Sequence, residues 1–114
     1  MQNGYELLLP EGLLAYFEVV GVDELNKVIV LHLDERVLTE SESGGRRLYS
    51  KGFYPSSDIH DFPVRGKSLI LRVRRRRWQD QDSGSPFMRD WQVVAQGTRL
   101  TTEFASFLKE LSRQ

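Results

Sequence analysis

The sequence predicts an α+β fold: a small antiparallel sheet or meander with a long arginine-rich β-hairpin, a short N-terminal helix and a C-terminal amphipathic helix. Three observations predict it. Ser68-Leu69-Ile70-Leu71-Arg72-Val73-Arg74-Arg75-Arg76-Arg77-Trp78 reads as one strand that begins apolar and ends cationic. Val28-Ile29-Val30-Leu31-His32-Leu33 reads as a well-buried strand, rich in β-branched residues. Phe104, Phe107, Leu108 and Leu111 recur at i, i+3, i+4 and i+7, the apolar stripe of a surface helix.

The chain of 114 residues is read as a single domain, 1–114. It contains no cysteine, which excludes disulfides and cysteine-based zinc or redox sites. His32 and His60 are the only histidines, and their spacing matches no ligand motif, so no metal or other cofactor is expected. No window approaches the ~18 apolar residues of a membrane span. The first residues lack the basic region of a signal peptide. The expected location is therefore the cytoplasm, with no membrane partner.

Along the chain, Leu7 to Phe17 reads as the short helix. Pro10 suits a first-turn position and Glu11 the positive end of the dipole. Phe17 to Val22 reads as a first strand, and Asp23-Glu24-Leu25-Asn26 has turn chemistry. Residues 38–50 are rich in Glu, Ser, Gly and Arg and read as a flexible loop. Arg65-Gly66-Lys67 reads as a tight turn feeding the arginine strand. Gln79 to Pro86 reads as a polar turn and Arg89 to Ala95 as the return strand, completing a hairpin whose arginine end projects from the body. Thr101 reads as the cap of the last helix.

Charge is distributed unevenly. Residues 1–42 hold nine acids against two bases, and residues 43–114 hold seven acids against fourteen bases. The formal net charge is nevertheless zero. Cation gathered on one strand of a neutral protein points to an anionic partner, a phosphate backbone first among them. Strand alternation puts Arg72, Arg74 and Arg76 on one face, about 6.6–6.8 Å apart, near the spacing of successive phosphates. Arg75 and Arg77 continue the opposite, otherwise apolar face and must reach solvent or a partner. Arginine suits the task because its planar fork engages phosphate oxygens two at a time and stacks on bases. Lys51, Arg46 and Arg47 are additional phosphate candidates, as are Arg65 and Lys67 beside Gly66. Trp78 and Trp91 are either stacking surfaces for bases or packing residues of the hairpin.

The bland alternative is an edge strand kept monomeric by charge. Lysine serves that purpose as well, and five arginines within residues 72–77 exceed it. No Gly-rich phosphate loop or nucleophile elbow is present, and the acids sit at turns and strand ends. The chain is not expected to be an enzyme.

One family shares the order of these segments. Leu9-Pro10-Glu11-Gly12-Leu13-Leu14-Ala15-Tyr16-Phe17-Glu18-Val19, the Val28–Leu33 run and Ser50-Lys51-Gly52-Phe53 come first. Ile59-His60-Asp61-Phe62-Pro63-Val64-Arg65-Gly66-Lys67 and Arg74-Arg75-Arg76-Arg77-Trp78 follow, then Asp90-Trp91 and Gly97-Thr98-Arg99-Leu100-Thr101-Thr102-Glu103-Phe104. The set resembles the N-terminal region of a bacterial insertion-sequence transposase, encoded as a short reading frame ahead of the catalytic DDE chain. It is also similar to the zinc-ribbon front end of a larger transposase class, with its "D-x-P-x-x-G-K" turn and "R-R-x-R-x-C" strand. That class carries cysteine pairs where this chain has Glu42–Arg47 and Gln79–Pro86, which hold none. Zinc is therefore not carried over. If the ribbon persists, packing must replace the metal, with Trp78, Phe87 and Trp91 as candidates.

The resemblance implies a non-catalytic module that recognises terminal inverted repeats in duplex DNA at transposon ends. Catalysis would come from a separate chain encoded downstream, and a second copy of the module is a further candidate partner. The candidate DNA-binding residues are Arg72, Arg74, Arg75, Arg76, Arg77, Trp78, Lys67, Arg65 and Lys51. Two alternatives stay open: an assembly module for the catalytic subunit, and an RNA-binding domain.

Overall fold

A computed structural model of the protein describes residues 4–97 and 101–113. The α+β class is as expected, but the strands divide into two sheets. The first has four strands in the order β1 (Phe17–Glu24), β2 (Val28–Glu35), β5 (Lys67–Arg74), β4 (Ser57–Val64). The second has three in the order β3 (Leu48–Phe53), β6 (Arg76–Asp80), β7 (Pro86–Phe87). Three helices are α1 (Glu40–Ser43), α2 (Trp91–Gly97) and α3 (Thr102–Ser112). None of the described helices is long and apolar enough to cross a membrane.

The expected N-terminal helix is instead two single 3₁₀ turns, Tyr5–Leu8 and Leu13–Ala15. Leu9 is forced extended (φ −88°, ψ 152°) by the proline that follows it. Gly12 then takes the left-handed conformation (φ 92°) that no α-helix continues through. The apolar residues still reach the core, with Leu13 and Phe17 fully buried.

β1 and β2 form an antiparallel pair closed by Leu25 N–H donating to Val28 O at 2.8 Å. β2 is central, flanked by β1 and β5, and its Ile29, Leu31 and Leu33 are buried in the core. Its other neighbour, β5, runs parallel to it, in register from Val28↔Ser68 to Asp34↔Arg74. The sheet is thus mixed and not a pure meander. A parallel pair needs a long connection. Residues 36–66 supply it through α1, β3 and β4.

The arginine hairpin forms with the segment before it, not the segment after it. β4 and β5 pair antiparallel across Arg65 (φ 51°) and Gly66 (φ 78°). Two successive positive φ angles match the right-handed twist of a two-residue hairpin. The expected return strand at Arg89–Ala95 is replaced by α2. Asp90 Oδ1 accepts from Gln92 N–H at 3.0 Å, and Asp90 O accepts from Val94 N–H at 3.1 Å, so Asp90 starts a helix there. β6 pairs instead with β3 and with the short β7.

The Ser68–Trp78 segment is therefore two strands. β2 ends at Glu35, and beyond the Asp34↔Arg74 pair β5 has no partner on that side. At Arg75 the chain changes sheets, its carbonyl accepting from Tyr54 N–H at 2.8 Å. Residues 38–50 include α1, closed by a reciprocal capping box between Thr39 and Glu42, and the start of β3.

α3 begins at the expected cap, with Thr101 Oγ1 accepting from Phe104 N–H at 3.1 Å. Its Phe104, Phe107 and Leu111 are buried against Leu31, Leu33, Leu69, Leu71 and Val73 on one face of the four-stranded sheet. Phe17 joins α2 to this core by stacking on Trp91, with ring centroids 5.5 Å apart.

Candidate nucleic-acid interface

The open face of the first sheet carries ion pairs. Arg72 donates to Asp58 through Nε at 2.8 Å and Nη2 at 3.1 Å. Arg74 grips Asp34 in the same two-point manner, at 2.6 and 2.5 Å. His32 Nε2 lies 2.7 Å from Asp23 Oδ2. On the opposite face, at the rim of the core, Lys67 Nζ donates to Glu24 at 3.3 Å, and Tyr5 Oη donates to the same carboxylate at 2.6 Å. These bonds hold the carboxyls of Asp58 and Glu24 below their usual range. Arg72 and Arg74 lie on one face, as alternation requires. However, each arrives at the surface already matched by a carboxylate across the strand pair. The charge imbalance between the two halves of the sequence is cancelled in part by the fold. Acids of the first 42 residues meet bases of the remainder at Glu24–Lys67, Asp34–Arg74, Glu35–Arg89 and Glu42–Arg89.

The second sheet differs. Arg75 is half-buried at the sheet change, while Arg77 on β6 and Lys51 on β3 are exposed. Among the described residues none of the three has a carboxylate within ion-pair distance, and the same holds for Arg46 just before β3. Arg76 is held by neutral groups, donating to Glu35 O at 3.1 Å and Ser50 Oγ at 3.2 Å. Its positive charge therefore remains uncompensated by a direct partner. Aromatic rings support these cations. The guanidinium of Arg76 lies 4.6 Å from the Phe53 ring centre, Arg77 5.5 Å from Tyr54, and Arg46 5.2 Å from Phe87. Arg65 and Lys67 lie at the other end of the first sheet, in and beside the β4–β5 turn.

Trp78 is 5% exposed. It sits opposite Phe87 in the β6–β7 pair and opposite Ser50 in the β3–β6 pair. Its ring is thus a packing element of the second sheet and presents no surface for a base. Trp91, stacked on Phe17 and edge-on to Tyr16, is likewise engaged in packing.

Arg89 was not singled out by the sequence, yet it joins the two sheets. Its side chain is 2% exposed. Nε donates to Glu42 at 2.8 Å, and Nη2 donates to the carbonyls of Arg36 and Val37, each at 3.2 Å. Nη1 stands 3.3 Å from Glu35 Oε2. The rings of Tyr16, Trp91 and Trp78 lie 5.3, 5.5 and 5.9 Å from the guanidinium. Glu35 Oε1 accepts from Arg76 N–H at 3.0 Å, while Oε2 has the ion pair but no hydrogen bond. Burial pushes this carboxyl up to about 6, against the opposing pull of the Arg76 N–H and the charges of Arg89, Arg75 and Arg76. The only hint in the sequence is an arginine set between Met88 and Trp91 in a chain with surplus acid at its other end.

The segments where the zinc-ribbon class keeps its cysteines do meet. Arg47 forms an ion pair with Asp82, and Gln81 N–H donates to Arg47 O at 2.8 Å. An ion pair and a backbone bond close this junction. Among the described residues no group of three or more His, Asp or Glu side chains is placed to hold a metal ion.

Comparisons with protein-family models, curated proteins and solved structures find no match to this chain.

Proposed function

We propose that the chain is a non-catalytic module that binds duplex DNA on the basic face of its three-stranded sheet. One observation carries this reading: Lys67, Arg72 and Arg74 of the first sheet are neutralised across strands, whereas Lys51, Arg75, Arg76 and Arg77 gather on and beside the second with no side-chain ion pair among the described residues. Unpaired arginine held against aromatic rings keeps its charge and loses little side-chain entropy on meeting a phosphate. Arg72, Arg74 and Lys67 serve the fold in this reading, and Trp78 positions the strand.

The resemblance to the N-terminal region of an insertion-sequence transposase supports the same conclusion. It adds the expectation that the DNA is a transposon end in the cytoplasm and that a separate chain supplies the chemistry. The closing of the Glu42–Arg47 and Gln79–Pro86 segments on each other by Arg47 and Asp82 is compatible with a ribbon that has exchanged metal for an ion pair.

Fluorescence anisotropy with labelled duplex DNA over a salt series tests the reading. Lys51→Ala, Arg75→Ala and Arg77→Ala should each weaken binding and flatten the log–log salt slope by roughly one phosphate contact. Arg72→Ala should leave that slope unchanged. An unmodified protein that shows no salt-dependent duplex binding refutes the proposal.

A further inference from the structure

Beside the basic strand lies a hollow of about 240 Å³, lined by Lys51, Tyr54, Arg77, Trp78, Gln79, Gly84 and Pro86. Pockets for drug-sized ligands run from roughly 300 to 1,000 Å³, so this one suits a single ring system with its substituent. Its chemistry is divided. Lys51 and Arg77 supply cation with no ion pair among the described residues, while Tyr54 and Pro86 supply flat or rigid apolar wall. Gln79 supplies an oriented amide. Its Oε1 accepts from Tyr49 Oη at 2.6 Å and its Nε2 donates to Gly84 O at 2.7 Å. A carbonyl can only accept, so the second bond defines which end of the amide is nitrogen. One N–H and one lone pair are left over. That donor–acceptor couple complements the N6/N7 edge of adenine.

We propose that this hollow receives one unstacked nucleotide of the bound DNA, adenine by preference. The base stacks on the Arg77–Tyr54 pair and meets Gln79 with its edge, while Lys51 takes the adjoining phosphate. The inference rests on the DNA-binding reading above and names what that surface recognises. Stacking on a guanidinium backed by an aromatic ring tolerates any base, and the oriented amide adds the discrimination.

Three labelled duplexes of one sequence separate the outcomes: fully paired, bearing a single bulged adenine, and bearing a single bulged thymine. The bulged-adenine duplex should bind at least tenfold tighter than the paired one, and tighter than the bulged-thymine duplex. Lys51→Ala, an exposed substitution without consequence for folding, should weaken all three. Gln79→Ala should abolish the adenine-over-thymine preference. Equal affinity for paired and bulged duplexes overturns this inference while the DNA-binding reading stands. Absence of binding to any duplex overturns both. A bulge preference that Gln79→Ala leaves intact overturns the role of the amide and of adenine.

Discussion

Glu35 and Arg89 face each other at 3.3 Å, each with a side chain only 2% exposed, at the point where the chain passes from the first sheet to the second. Glu35 ends β2 and accepts from the backbone of Arg76, the first residue of β6. Arg89 reaches back to α1 and to the carbonyls that follow β2. The basic strand is therefore held to the core by a buried pair bonded directly to the backbone of Arg76.

Removing one partner of such a pair leaves the other charged and unmatched. Arg89→Met should destabilise the fold by about 3–5 kcal/mol, measured by urea unfolding. Glu35→Gln should cost far less, because its amide oxygen still accepts from Arg76 N–H. Combining Arg89→Met with Glu35→Gln should recover part of the loss, since the orphaned acid is then gone.

The elevated Glu35 carboxyl has a consequence for pH. Its ionisation lies at about 6 in the folded chain against an ordinary 4.5, so the native state holds a proton that the unfolded state releases. Stability from this group is fully present below about pH 4.5 and is lost as pH rises through about 6, a decline of roughly 2 kcal/mol. Asp58 and Glu24 act in the opposite direction and at lower pH, because their ionisation is favoured in the fold. Comparing unfolding free energies of the natural chain and Glu35→Gln between pH 4 and pH 7.5 isolates the Glu35 contribution. A pH-independent difference between the two would refute it.

The two paired arginines of β5 should behave differently. Asp58 is 39% exposed, so Arg72→Ala should change the melting temperature little, water replacing the guanidinium. Asp34 is nearly buried, at 9%, and Arg74 is its partner. Arg74→Ala should cost about 1–3 kcal/mol by stranding that carboxylate. Thermal unfolding of the two variants side by side checks the contrast.

Arg65 occupies a left-handed conformation for which an arginine has no local compensation. Arg65→Asn turns the hairpin into Asn-Gly, the preferred pair for this turn, and should stabilise the chain by about 0.5–1 kcal/mol. Because this turn lies at the opposite end of the first sheet from β6, the salt slope of DNA binding should not change. A loss of affinity with Arg65→Asn would extend the interface to that turn.

What could be read from the chain was what depends on neighbours in sequence. Alternation identified Leu69, Leu71 and Val73 as one buried face, helical periodicity placed Phe104, Phe107 and Leu111 in the core, and Thr101 and the Arg65-Gly66 turn announced themselves by local backbone chemistry. Helix in place of strand at Trp91–Gly97 turned on Asp90, whose capping bond decides an apolar run that by its pattern suits either structure.

By itself, then, the sequence determined the α+β class, the inward faces of its central strands and the surplus of cation between residues 46 and 77. Only the tertiary structure decided which of those cations remain unpaired. Burial and periodicity are properties of a segment. Charge compensation is a relation between segments, and Asp34 and Arg74 stand forty residues apart until a parallel pairing sets them side by side. The same pairing ends at Glu35, and that is why the arginine strand turns at Arg75 and its last residues join another sheet.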